Sequence, residues 1–578
     1  MVNFGQNETQ ELPGREMVAD YFTSPQPNFA ASDLPEIQEP KGLITDQSLD
    51  ALQAEFTAGV IRRLRNRRGM RAEINKADPV SHHIPPRLMV YMTRKCNARC
   101  VMCQGVEGLD HHISPGDGDV SFDDFMNRLG PWLPSAERCD IYGLGEVLLL
   151  PDTTFRIMRV LQQHHLVTSL VTNGALLTPN TVRKLAGLGL QRLVISVDAV
   201  TPLLYEEIRR GLRWSILDRN LRFLLGNEAI PQIEFNFVIM RRNLPEMGRL
   251  LDYIHEIHSC PSEIVVSYYL LQILKKNEFF RAEALYGKDE NVLRPHFDTV
   301  QSLASRYGYR VNLPELVKLK QADQAFPDGP NSISAQAAST NEAPAGPTPD
   351  SLAKCSRPWD TFFLLPAGKG KICCDNPVPV QLLGDRNGLE LQRLRSAVND
   401  PLRHARYQAC RFCAERPRSD YSADSSPPLE LAFPKSLCRL HLNHDPDSTW
   451  QVVFPTLLGE WDSECLDATD WLVACRTGTR YTDLSFRMPA GTRAVLFLEY
   501  LDAPGAELHL FRIDCGNWVP LGSIQGTGSG IARQESFLVA PRSRTENPAR
   551  NSDPLHIIIE TRGAKFLISK ICGFHPAP

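Results

Sequence analysis

Three cysteines stand close together in RKCNARCVMCQG, residues 94–105: Cys96, Cys100 and Cys103. Their spacing is C-x3-C-x2-C. Thiolates three and four residues apart on a tight loop can each take one iron of a [4Fe–4S] cube. Three thiolates leave the fourth iron with an open coordination position, and an open position is how a metal centre binds and activates a ligand. A structural zinc site is closed by four ligands. The trio is therefore a cube with room for a small molecule, an incomplete zinc site, or chance.

A second set shares the compact segment from Lys354 to about Arg416: Cys355, Cys373, Cys374, Cys410 and Cys413. From Cys355 through Gly368 to Cys373 the spacing is C-x12-G-x4-C. The glycines permit a hairpin that brings the two thiols together. The pair in CRFC, Cys410 and Cys413, follows the helix-like DPLRHARYQA. Four thiolates make a fully ligated site, an iron–sulfur cluster or a zinc ribbon. Geometry leaves open whether Cys373 or Cys374 is the ligand. Cys374 enters as a candidate catalytic residue or else as a spare thiol. Cys139, Cys260, Cys438, Cys465, Cys475, Cys515 and Cys572 have no ligand spacing and read as small apolar residues. The pairs His82–His83 and His164–His165 read as surface or loop residues.

Such thiols need a scaffold. From Arg87 the chain alternates short apolar strands with helical stretches: RLMVYMT, CDIYGLGEVLLL, IMRVLQQHH, TSLVTNG, TPNTVRKLAGLG, RLVISVDA and onward to EIVVSYYLL. This pattern means an α/β fold, a parallel sheet covered by helices. About six βα steps fit, which favours a partial barrel over an open sheet and sends functional groups to the carboxyl ends of the strands. The first strand runs straight into the three-cysteine loop. Gly143, Gly145 and Glu146 follow the second strand, and a carboxylate at Glu146 suits an ammonium group. Thr172 and Asn173 end the third strand; Ser196 and Asp198 end the fourth. Those four also fit ordinary turn chemistry.

These motifs together resemble the radical S-adenosylmethionine (SAM) superfamily over about residues 87–320. The resemblance implies a partial (β/α)6 barrel in which Cys96, Cys100 and Cys103 hold a [4Fe–4S] cluster. The free iron would take the amino and carboxylate groups of SAM. Reductive cleavage would then give a 5′-deoxyadenosyl radical that abstracts a substrate hydrogen. Gly143, Gly145 and Glu146 look like the family's GGEP element, with Val147 in place of the proline; Thr172, Asn173, Ser196, Asp198 and Arg209 resemble positions near SAM. Arg209 reads equally as a salt-bridging residue. The later cysteines resemble a SPASM/twitch extension, whose spacing favours Cys355, Cys373, Cys410 and Cys413 around one auxiliary [4Fe–4S] cluster.

The chain has 578 residues, 42% hydrophobic and 22% charged, with net charge −4. That balance argues against a whole-protein nucleic-acid footprint. No apolar run is long enough to span a membrane, and the start lacks a secretory signal pattern. Fifteen cysteines then favour metal chemistry in the cytoplasm over disulfides. The expected organisation is an N-terminal extension (1–83) with a basic helix from about Ser48 to Lys76, the core (84–322) and a Pro/Ser/Ala-rich linker (323–353). The auxiliary-cluster segment (354–417), a second linker (418–430) and an all-β sandwich (431–578) follow. The basic run IRRLRNRRGMR reads as a solvated helix face or an anionic-partner surface. Trp450, Trp461, Trp471, Trp518 and GTGSG (526–530) faintly resemble a galactose-binding-like domain, although core tryptophans are the favoured reading. The expected function is that of a radical SAM oxidoreductase, epimerase or maturase. It would act on a carbohydrate, small metabolite or peptide, with a flavodoxin- or ferredoxin-type reductant. Alternatives are a ribosomal peptide maturase and a non-catalytic iron–sulfur or glycan-binding protein.

Overall fold

Strand and helix alternation from Arg87 builds a nine-stranded sheet in the computed structural model of the protein. The structure describes residues 46–76, 78, 80–103, 118–143, 145–226, 230–259, 262–271, 278–285, 289–314 and 356–371. In the C-terminal part it describes 439–441, 449–453, 456–458, 462–466, 469–475, 480–486, 494–514, 517–539, 555–563 and 566–576.

Helix α1 (Asp46–Lys76) comes first. Then follow β1 (Arg87–Tyr91), α2 (Phe122–Leu129), β2 (Arg138–Tyr142), α3 (Pro151–Gln163) and β3 (Val167–Thr172). Next are α4 (Pro179–Gly187), β4 (Arg192–Ser196), α5 (Pro202–Ile208), α6 (Trp214–Leu225) and β5 (Gln232–Ile239). The core closes with α7 (Glu246–Ile257), β6 (Glu263–Leu270), α8 (Glu278–Glu283), α9 (Glu290–Tyr307) and β7 (Arg310–Asn312). After residue 355 come α10 (Arg357–Asp360), β8 (Thr361–Leu364) and β9 (Gly370–Lys371).

The strand order is β7-β6-β5-β4-β3-β2-β1-β8-β9, with β1 to β8 parallel and β9 antiparallel to β8. Strands β1 to β6 and their helices supply the six expected steps. Local signals start the helices where the sequence places them: Ser121 and Asp124 form a capping box on α2, and Thr178 caps α4 ahead of Pro179. Strands β8 and β9 extend the sheet beyond β1, so the segment after the linker begins as part of the core sheet.

The strands are two-faced rather than uniformly apolar. Leu88, Val90, Cys139, Ile141, Leu170, Leu193, Ile195, Ile233 and Phe235 enter the core beneath the helices. Alternate residues point to the other face. There Met89, Asp140, Ser169, Arg192, Gln232 and Glu263 stand in one register row. Ion pairs satisfy this inner face. Arg87 Nε donates to Asp140 Oδ2 (2.6 Å), whose other oxygen accepts from Ser169 Oγ (2.5 Å). Arg192 pairs with Glu234, which also accepts from Ser267 Oγ (2.9 Å). Charged residues on the amino-terminal half of the strands thus close the interior away from the cysteine loop.

Helix α1 revises the reading of the basic run. Arg62, Arg65 and Arg68 lie on its exposed side, but Arg63 is 2% exposed. Arg63 donates to Ala136 O and His164 O, both at 2.6 Å. Arg67 donates to Glu137 Oε1 (2.9 Å), and Asn66 exchanges two hydrogen bonds with the Ile84 backbone. Glu73 accepts from Ser81 and the His82 amide and lies 2.7 Å from His83 Nδ1, so His83 is part of this clamp. The run is neither wholly solvated nor wholly a partner surface. Its buried members fasten α1 to the amino ends of β1, β2 and β3.

The C-terminal part is the expected all-β region. Its strands are β10 (Arg439–His441), β11 (Thr449–Val453), β12 (Thr456–Leu458), β13 (Asp462–Leu466), β14 (Thr469–Cys475) and β15 (Arg480–Phe486). They continue with β16 (Ala494–Leu501), β17 (Ala506–Asp514), β18 (Asn517–Gln525), β19 (Ala532–Val539), β20 (Leu555–Gly563) and β21 (Phe566–Pro576). Two antiparallel sheets result, one of seven strands and one of five. Alternation in AVLFLEYL puts Ala494, Leu496, Leu498 and Tyr500 into their shared core, which also takes Val60 and Ile61 from α1. Trp518 departs from the core reading: it lies on β18, is 46% exposed and packs beside Phe511. The side chains of Trp450, Trp461 and Trp471 lie outside the described residues.

Candidate active site

The three-cysteine loop leaves the carboxyl end of β1, and neighbouring loops grip its backbone. From the turn after β2, the Gly145 amide donates to Thr93 O (3.0 Å) and the Glu146 amide to Lys95 O (2.8 Å). At the end of α5, Arg210 O accepts from the Arg99 amide (2.7 Å) and Ile208 O from the Val101 amide (2.9 Å). From the end of β3, Asn173 Nδ2 donates to Asn97 Oδ1 (2.7 Å). Asp119 closes the neck of the loop, accepting from Thr93 Oγ1 (2.6 Å) and pairing with Lys95 Nζ (2.7 Å).

This grip explains the glycines. A Cβ on Gly145 would stand 2.0 Å from Lys95 O, and one on Gly143 would stand 2.7 Å from Thr93 O. The two loops approach too closely for any side chain.

Cys96 is exposed, and Cys100 and Cys103 are half-buried. Burial pushes the Cys100 thiol up to about 12. Thiols in this state surrender protons when they bind metal. Among the described residues no three His, Cys, Asp or Glu side chains converge on one metal-ion position. A cube asks for something different, one thiolate per iron, and three thiols on a single braced loop suit that donor set.

Glu146 is 2% exposed and internally engaged. Its Oε1 accepts from Thr172 Oγ1 (2.7 Å) and the Leu148 amide (3.2 Å), and its Oε2 accepts from the Asn173 amide (2.8 Å). Burial raises its pKa against these three donors. Thr172 and Asn173 are therefore joined to Glu146 directly, beyond simple turn chemistry. Asp198 is fully buried, accepts from the Val238 amide (2.8 Å) and pairs with Arg209 Nη2 (2.7 Å). Burial opposes charge on Arg209, but Asp198, Cys100 and Tyr205 together outweigh it and hold the guanidinium cationic. Arg209 Nη1 lies 3.9 Å from Cys100 Sγ. Arg209 thus forms the expected salt bridge, and it borders the cysteine loop. Ser196 ends β4, in register with Asn236 of β5.

The structure brings Cys96, Cys100, Cys103, Gly143, Gly145, Glu146, Thr172, Asn173, Asp198 and Arg209 to one end of the sheet. Cys355, Cys373, Cys374, Cys410 and Cys413 lie outside the described residues. Between Cys355 and Cys373, β8 and β9 form a hairpin in which the Leu365 amide donates to Lys369 O (2.8 Å), with Gly368 at φ +66°. Sequence reasoning missed Asn97 and Asp119. Asn97 lies inside the motif and could have been found there; Asp119 follows Cys103 at no diagnostic spacing.

The family model described as the radical SAM superfamily matches residues 90–254. An AdoMet-dependent heme synthase of Methanosarcina barkeri is 30% identical over 177 residues, which is 30% of this chain and 48% of that protein. A GTP 3',8-cyclase of Limosilactobacillus fermentum is 28% identical over 169 residues, 29% of this chain and 48% of that one. The chain spans about half the length of the curated relatives it matches. Among solved structures, Streptococcus suis SuiB bound to S-adenosylmethionine is 16% identical with TM-score 0.40, covering 62% of this chain and 73% of SuiB. The structure titled native anSMEcpe with bound AdoMet is 15% identical with TM-score 0.35, covering 53% of this chain and 79% of that one.

Proposed function

This chain carries a radical SAM domain at residues 90–254, and from that premise we propose that it is an enzyme that abstracts a hydrogen atom from a carbohydrate, small metabolite or peptide. The observation that carries the reading is the braced loop of Cys96, Cys100 and Cys103 beside Glu146 and Asn173 at the carboxyl ends of β1 to β3. When bound, a [4Fe–4S] cluster and SAM supply reductive cleavage of SAM and a 5′-deoxyadenosyl radical.

The chain's own residues hold and orient. Cys96, Cys100 and Cys103 would each bind one iron. Gly143 and Gly145 let backbone come close enough to line the site. Glu146, Thr172 and Asn173 form a connected acceptor and donor edge suited to an ammonium and a carboxylate. Ser196, Asp198 and Arg209 complete the rim. The buried apolar core beneath the loop keeps water from that side. Cys355, Cys373, Cys410 and Cys413 would hold one auxiliary [4Fe–4S] cluster, with Cys374 a candidate hydrogen donor. A flavodoxin- or ferredoxin-type protein would supply electrons.

The test is anaerobic reconstitution with iron and sulfide, then SAM and a reductant. The expected product is 5′-deoxyadenosine, lost when Cys96, Cys100 and Cys103 are all replaced by Ala. Clusters confirmed by spectroscopy without 5′-deoxyadenosine would overturn the enzyme reading. Replacing Cys410 and Cys413 by Ala should remove roughly half of the iron, about 4 of 8 atoms for two cubes. Unchanged iron would refute the auxiliary cluster.

A further inference from the structure

On α5 and just after it, where Ile208 O grips the cysteine loop, two buried donors have no hydrogen-bond partner among the described residues: the Tyr205 hydroxyl and Arg209 Nε. Both side chains are enclosed, Tyr205 at 0% and Arg209 at 6% exposed. A buried polar group without a partner costs free energy, and its presence asks for an explanation. The local structure fixes both in place. Tyr205 stands one turn before Arg209 on α5, and its carbonyl accepts from the Arg209 amide (2.7 Å). Its ring packs edge-on to Trp214 at 5.4 Å. Asp198 takes Arg209 Nη2, which turns Nη1 toward Cys100 Sγ at 3.9 Å. Burial acts most strongly on the Tyr205 hydroxyl, and the charged groups that act on it are Arg209, Cys100, Asp198 and Glu206. Ile208, between the two donors, is itself bonded to the cysteine loop through Val101.

We propose that Tyr205 and Arg209 donate hydrogen bonds to the sulfur corner of the cluster at Cys100 and thereby raise its reduction potential. The proposal rests on the function given above. Hydrogen bonds to cluster sulfur stabilise the more negative, reduced form, and such outer partners tune a metal centre without binding it. Tyr205 and Arg209 are positioning residues in this sense.

The experiment is a potentiometric titration of the anaerobically reconstituted full chain, followed by electron paramagnetic resonance on the signal that SAM perturbs. Tyr205→Phe and Arg209→Met are compared with the unaltered chain. Tyr205→Phe should keep its iron and lower the reduced-to-oxidised ratio about tenfold at fixed potential, a shift of roughly 59 mV for one electron. Arg209→Met should shift it in the same direction. In the iron-free protein, Tyr205→Phe should melt no lower than the unaltered chain, because the lost hydroxyl had no partner. A merely structural tyrosine would not lower the potential while sparing iron-free stability. Midpoints and g-values of Tyr205→Phe equal to those of the unaltered chain would overturn the proposal. An unaltered chain that binds no cluster, or whose signal ignores SAM, would instead overturn the function on which it rests.

Discussion

Gly145→Ala tests whether close backbone contact prepares the cysteine loop. The new Cβ would stand 2.0 Å from Lys95 O and 2.6 Å from Arg94 C, whereas real contacts essentially never fall below 3.0 Å. The loop must therefore retreat by about 1 Å immediately before Cys96, since the obstacle is backbone and cannot rotate away. That retreat would stretch the 2.8 Å bond from the Glu146 amide to Lys95 O beyond bonding range. Losing one such bond costs about 1 kcal/mol, and overpacking adds about 1–3 kcal/mol. The sum, about 2–4 kcal/mol, falls on the conformation that presents the three thiols. At 1.4 kcal/mol per factor of ten, cluster retention weakens roughly 30- to 700-fold. The assay is iron and labile sulfide per chain after reconstitution, in competition with a chelator. Gly187→Ala is the control, at the end of α4 with nothing within 4 Å of the added Cβ. It should hold iron normally and gain up to about 1 kcal/mol of helix stability. Iron retention by Gly145→Ala equal to that of the control would refute the reasoning.

Arg63→Met should destabilise the chain by about 3–5 kcal/mol, since it strips two charge-assisted donors from buried carbonyls; urea unfolding followed by circular dichroism checks this, and an unchanged midpoint would count against the clamp. Burial already draws Arg63 down to about 10, so a Lys replacement should rescue only in part. Asp502 makes a pH prediction. It accepts from Ser529 Oγ (2.5 Å), Thr527 Oγ1 (2.6 Å) and the amides of residues 527–529, and these bonds, Ser529 first, hold its carboxyl well below the usual range. The stabilisation is complete above the unfolded value near 4 and drains away as pH falls toward the folded value. Thermal melting of the all-β part should drop below about pH 4, and Asp502→Asn should flatten that decline; parallel declines in both proteins would show that Asp502 contributes nothing.

Much of the barrel was legible because its signals are local. Apolar runs, helix caps and glycine stops mark β1 to β6 and the helices between β2 and β6, whereas α2, α8 and α9 were not read from the sequence. The all-β character of the C-terminal part was legible for the same reason, although strands as short as Arg439–His441 and Thr456–Leu458 show no alternation to read. The inner polar face was not legible. Asp140 and Glu234 look misplaced until the register sets Arg87 and Arg192 beside them. The site divides in the same way. Cysteine spacing is a property of the chain, so Cys96, Cys100 and Cys103 stood out. Asp119 meets the cysteine loop only through space, and no spacing announces it. The basic run misled because charge was read without burial, which only the packed neighbours of Arg63 reveal.

The seating of α1 has a consequence for reach. Val60 and Ile61 plug the all-β core while Arg63, Asn66 and Arg67 hold the amino ends of the barrel strands. The cysteine loop occupies the opposite ends. Strands of 5–8 residues separate the two faces, a height of about 17–26 Å at 3.3 Å per residue. Helix α1 thus ties the all-β core to the end of the barrel that lies away from the cysteine loop.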